Sequence, residues 1–332
     1  MGWRGTLRTL GAISRAAERD ARRRAREHTR QLAELEKFEA KERAAEAVQE
    51  FEEFLSSLVS AHKVCSKPIN WHAKLTATPP VKPPRHSKQE EAAKQRLIEY
   101  SPSIFARLLG RTERAKADLE KRVISAHEAD EILYVRSLDA YQKALVEHED
   151  EKELSMNILA GDAEATLEFL KTLNPFSSIA QLGESLRISI PLPKRVAVEL
   201  EVHGDEVIPK ESAKLLTSGR VSRKAMPRGD YNRLYQDHVC SSGLRVVREV
   251  FAALPAESVV VTAVDELLDS STGNLAKTPI LSFLATRQTF AKLNFEAIDP
   301  SDAMRNFVHN MDFKPTTGFR AVTALDPAIA SK

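Results

Sequence analysis

The densest group of phosphate-seeking side chains in the sequence lies between residues 210 and 233: Lys210, Lys214, Arg220, Arg223, Lys224, Arg228 and Arg233. Within it, Ser218-Gly219-Arg220-Val221-Ser222-Arg223-Lys224 joins small turn-forming residues to cations. A turn there offers backbone N–H groups, and the side chains can meet an oxyanion. An exposed basic loop is the plainer reading of the same residues. A second basic group, Arg22-Arg23-Arg24, sits in the first thirty residues. Anion or nucleic-acid contacts are therefore expected at Arg22, Arg23, Arg24, Arg220, Arg223 and Lys224. Other chemistries lack their patterns. Nine His and two Cys are scattered without CxxC or HExxH spacing, and His62-Lys63-Val64-Cys65 is one Cys short of a zinc site. There is no GxxxxGK[ST], no GxGxxG and no GxSxG. No metal and no cofactor are expected.

A catalytic alternative comes from element order. Glu249 lies in a helical stretch, Asp265 ends a β-branched run, and Arg287 ends a second apolar run after a turn. That order resembles restriction-endonuclease-like domains. They hold Mg²⁺ with carboxylates and set a lysine by the attacking water, because phosphodiester cleavage needs charge neutralised at both oxygens. Here the second run ends Ala285-Thr286-Arg287, so alanine stands in place of the acid of (Asp/Glu)-x-Lys and arginine in place of lysine. Alanine cannot ligate metal. Glu249 also has a simpler partner in Arg245, four residues back on the same helix face.

Charge is segregated along the 332 residues. The net charge is +2, yet residues 1–30 hold nine Arg against three acids and residues 31–60 hold eight Glu against three bases. Such blocks suit an anionic surface, or the opposite block of a neighbouring chain. The total excludes a uniformly basic, nucleic-acid-coating surface. Cys65 and Cys240 are too few for a disulfide-stapled secreted fold. No stretch approaches the ~20 apolar residues of a spanning helix. Trp3, Leu7, Leu10, Ala17 and Ala21 fall at helical spacing among arginines, as in an interfacial helix, but no secretory core is present. A cytoplasmic protein is expected.

The elements that must position these groups follow from periodicity. Residues 1–30 form an Arg-rich arm and 31–65 an amphipathic helix, whose seam of Leu35, Phe38, Ala45, Val48, Phe51, Leu55 and Leu58 is interrupted by Lys41 and Glu42. This seam fits either a self-associating coil or a helical hairpin. Residues 66–88 form a connector with five prolines, in which Trp71 needs a pocket. Residues 89–180 are helical, with one long helix over about 111–150, a stop at Gly161 and an N-cap at Asp162. Residues 185–325 form an α+β domain: a hairpin through Pro191–Lys194, a helix over 231–254, strands over 258–264 and 279–285, and helices over 288–293 and 303–311. The fold class is α+β, with long N-terminal helices ahead of the domain.

Leu234-Tyr235-Gln236-Asp237-His238-Val239-Cys240 leading into Leu244–Glu249, with Asp299-Pro300-Ser301-Asp302 later, resembles a bacterial family with no activity attached. The resemblance implies a charged helical N-terminus joined to a C-terminal α+β domain and assigns no site. The function expected is a non-catalytic interaction or scaffold protein. It would bind another protein or a second copy through residues 31–180, with nucleic acid as the competing partner.

Overall fold

A computed structural model describes residues 3–85, 87–102, 111–176, 185–269 and 271–328, with side chains from residue 23 onward except Ala25, Asp205 and Glu206. The chain divides into two compact units, residues 1–68 with 170–332, and residues 69–169.

Helix α1 runs unbroken over Trp3–Ser60, across the boundary between the basic and acidic blocks, and a 3₁₀ turn follows at Ala61–Lys63. With no Gly or Pro between Ala12 and Pro68, nothing in the sequence ends it earlier. The α+β fold occupies the rest of this unit. Strands β1 (Ser185–Leu192) and β2 (Arg195–Glu201) form the expected hairpin, with Lys194 in the left-handed region at φ 60°. After the single-turn α6 (Gly204–Val207), β3 (Glu211–Leu215) and β4 (Val221–Ala225) make a separate two-stranded hairpin. Helix α7 (Arg228–Ala253) then leads to β5 (Ser258–Leu268) and β6 (Leu275–Thr286). The chain ends through α8 (Arg287–Phe290), α9 (Pro300–Ala303), β7 (Val308–Lys314) and β8 (Gly318–Arg320).

The main sheet has the order β1-β2-β5-β6-β7-β8. Only β2 and β5 are parallel, and α7 lies in the crossover between them. Val196, Val198 and Leu200 alternate inward on β2, whereas β5 and β6 carry continuous apolar runs because their central residues are buried on both faces. Gly243 lets α7 approach this sheet: a Cβ there would sit 2.9 Å from the ring of Phe283, which is fully buried.

Two expectations are corrected. The helix read over 303–311 stops at Ala303. A 3₁₀ turn covers Met304–Asn306, and β7 follows because His309 and Met311 pair with Phe283 and Leu281 of β6. The basic stretch near 218–224 is a loop only in part: Ser218, Gly219 and Arg220 lie in the turn of a β-hairpin, with Gly219 at φ 78°, and residues 221–224 belong to β4.

In the second unit, α2 (Trp71–Leu75), α3 (Lys88–Ile98) and α4 (Thr112–Ala160) are followed by α5 (Ala163–Leu173). Trp71 has its pocket, edge-on to Phe169 with ring centroids 4.8 Å apart. The Asp130 carboxylate of α4 accepts the N–H groups of Gln89 and Glu90, each at 2.9 Å, and so caps α3. Gly161 ends α4 in the left-handed conformation, and Asp162 accepts the Ala165 N–H at 2.8 Å.

Because α7 contacts the sheet through Gly243, Gly243→Val forces Phe283 out of place and is expected to cost about 1–3 kcal/mol in urea unfolding. Gly229→Ala on the same helix, with no neighbour closer than 3.9 Å, is expected to stay within about 0.5 kcal/mol of the parent.

Candidate functional site

The seam read along α1 splits over two faces. Leu32, Leu35 and Phe38 are exposed, whereas Val48 and Leu58 are buried. At 100° per residue, the mean direction of Leu35 and Phe38 lies about 140° around the helix from that of Val48, Leu55 and Leu58. The downstream face packs on α7, and every described side chain of α1 up to Arg43 is exposed.

What holds the downstream face is a polar stripe along α7. His238, Ser241, Arg245, Arg248 and Glu249 recur at helical spacing and meet the end of α1, whose last carbonyls have no partner within the helix. The His238 Nδ1–H donates to the Leu58 carbonyl at 3.2 Å, and Arg248 donates to the carbonyls of His62 and Lys63 at 2.6 and 2.8 Å. The Arg248 guanidinium also lies 4.5 Å from the centroid of Phe295. Ser241 Oγ accepts the His62 backbone N–H at 3.1 Å and lies 2.9 Å from His62 Nδ1. Burial and the nearby Lys63 and Arg248 charges lower the His62 pKa, so the ring is neutral.

At the next turn of α7, Glu249 is fully buried and pairs with Arg245 at 2.7 Å. The same carboxylate oxygen accepts the Ser66 N–H at 3.1 Å. The i, i+4 partner expected from sequence is thus present, and the pair extends the α1 anchor into the segment after the 3₁₀ turn. Cys65 Sγ donates to the Arg248 carbonyl at 3.5 Å, and burial raises both the Cys65 and the Cys240 thiol pKa. No group of three His, Cys, Asp or Glu is placed to hold a metal ion among the described residues.

The three residues of the catalytic alternative lie at separate places. Glu249 is in the α1 anchor. Arg287 donates to the carbonyls of Ala256, Phe251 and Leu254 at 2.9, 3.1 and 2.7 Å, capping the end of α7. Asp265 accepts the Tyr235 hydroxyl near the start of α7, about 21 Å along the helix from Glu249. It borders a cleft of about 310 Å³ at the carboxyl ends of β2 and β5, with His203, Tyr231 and Asn232. Gly204 closes that cleft, since a Cβ there would lie 2.5 Å from the Tyr235 ring.

The basic residues fall into two groups. Arg23 pairs with Glu27 at 3.2 Å, Arg24 is exposed, and the side chain of Arg22 lies outside the described residues. Arg220, Arg223 and Lys224 belong to the β3–β4 hairpin, whose Gly219 approaches α1 at Lys41. Lys41 is about 25 Å along the helix from Arg24, so the groups do not form one patch.

No family model, curated protein or solved structure matches this chain. No helix among the described residues is long and apolar enough to cross a membrane.

Removing one member of a buried ion pair strands the other charge, so Glu249→Ala is expected to lose about 3–5 kcal/mol in chemical denaturation. Replacing Glu249 and Arg245 together by Met should recover most of that loss. His62 adds a pH dependence. Its folded pKa is lowered, so below the unfolded value of 6.5 the unfolded chain binds the proton better and stability falls. Thermal scans should therefore show the parent losing more stability between pH 7 and pH 5 than His62→Asn. His127, raised by its hydrogen bond to Glu90, shifts the opposite way in both proteins and cancels in the comparison.

Proposed function

We propose that the protein is a non-catalytic interaction protein of the cytoplasm that uses α1 to pair with a second copy of itself. The observation that carries this reading is the exposed stripe of Leu32, Leu35 and Phe38 on a helix whose opposite side is already anchored to α7. An exposed apolar stripe on a helix marks a partner face.

Its charges favour a second copy over an unrelated partner. Two charged residues flank the stripe, Arg24 upstream and Glu42 downstream, at the same angle around the helix and each nine residues along it from the level of Ala33. An antiparallel pair centred on Ala33 sets Arg24 of each copy against Glu42 of the other. A parallel pair would set like charges together. Polar residues at seam positions select register and orientation in this way, and a two-fold pair is self-complementary by construction. Neither side chain makes an ion pair within the chain among the described residues, so both are available. Cys65 and Cys240, both free thiols, suit a reducing compartment.

Charge reversal tests this. Sedimentation of the full chain at micromolar concentration is expected to give a dimer, and Arg24→Glu or Glu42→Arg alone to give monomer. The double reversal restores the pair and the dimer. A monomeric parent, or a double variant no better than either single one, would overturn the reading.

A further inference from the structure

The β3–β4 hairpin carries an arrangement that self-pairing through α1 does not use. Its register sets Ser212 opposite Lys224 and Lys214 opposite Ser222. Side chains alternate along a strand and cross-strand partners share a face, so these four residues stand together on one side of the hairpin. They line a cavity of about 430 Å³ whose floor includes Leu216, Met226 and Pro227. Arg223, opposite Ala213, belongs to the other face.

Lys214 and Lys224 are diagonal neighbours on this face, about 7–8 Å apart at Cα. Two like charges so placed repel unless an anion lies between them. Neither makes an ion pair among the described residues. The one acid on the cavity wall, Asp230, is paired with Arg233 at 3.1 Å. The Ser212 hydroxyl makes only a long bond of 3.4 Å to the Lys224 carbonyl. The cavity therefore offers two positive charges and two hydroxyl donors to one small space.

We infer that this face of the hairpin binds a phosphate monoester. Two ammonium groups match its charge of about −1.5 to −2, and two hydroxyls add donors to its three terminal oxygens. A phosphodiester brings one negative charge per group and leaves one lysine uncompensated. The site sharpens the sequence expectation: Lys224 remains in it, Lys214, Ser212 and Ser222 join it, and Arg223 is turned away.

Titration calorimetry of the full chain at low and moderate salt tests the site, using inorganic phosphate, a nucleoside 5′-monophosphate, the unphosphorylated nucleoside and a single-stranded oligonucleotide without terminal phosphate. The expected result is saturable one-to-one binding of phosphate and of the monophosphate, and none of the nucleoside. Lys214→Gln and Lys224→Gln should each weaken binding at least tenfold, with Arg223→Gln unchanged. Thermal scans of the ligand-free variants guard against misfolding: Lys214→Gln should melt no lower than the parent yet lose the upward shift given by phosphate. Tighter binding of the nucleoside monophosphate than of inorganic phosphate would identify a nucleotide source, and equal binding free phosphate. The inference is overturned by absence of saturable phosphate binding, by equal sensitivity to Arg223→Gln, or by binding of the oligonucleotide alone.

Discussion

The capping of α1 by α7 is the interaction on which the rest of the structure depends. A helix of 58 residues ends in carbonyls that its own backbone cannot satisfy, and this one ends against protein rather than water. Helix α7 supplies the missing donors in order, His238 to Leu58, then Arg248 to His62 and Lys63. Having placed these polar groups in a buried stripe, the fold must satisfy them, since an unpaired buried charge is far costlier than an exposed one. One Glu249 carboxylate oxygen accepts from both Arg245 and the Ser66 N–H. The anchor is specific because it is polar: an apolar contact alone would let α1 slide or turn on α7.

Anchoring one face of α1 determines what the other can do. Val48 and Leu58 are committed to the domain, whereas Leu32, Leu35 and Phe38 are exposed. The same helix α7 supports the sheet through its opposite face, where Gly243 meets Phe283. It thus joins the sheet, the cleft at its N-terminal end and the long helix. The β3–β4 hairpin, inserted in the same crossover, adds a cationic surface without disturbing the sheet order.

Much of this was legible in the sequence because local rules govern it. The Pro193-Lys194 turn, the β-branched run from Ser258, the stop at Gly161 and the cap at Asp162 each depend on a few adjacent residues. What escaped depends on distant ones. The start of β7 reads as helix in the sequence because its strand character comes from pairing with β6, which no local window reports. The seam of α1 reads as one stripe when steps of three, four and seven are counted. Over the ten residues from Phe38 to Val48 it turns onto another face. The α1 anchor had a faint signal, polar residues at 238, 241, 245 and 248 along an otherwise apolar helix, but nothing local names their partner near residue 60. Arg223 and Lys224 are neighbours in sequence and sit on opposite faces of a strand.

The central claim is that α1, fixed to α7 on one face, pairs antiparallel with a second copy on the other. Spin labels at Glu39 and Glu46 of the full chain, in a background without Cys65 and Cys240, test it most directly. An antiparallel pair about Ala33 predicts intermolecular distances of about 20 Å for the first label and about 40 Å for the second, since each residue from the two-fold axis adds twice the helical rise. Equal short distances at both positions, or no intermolecular coupling at either, would contradict it.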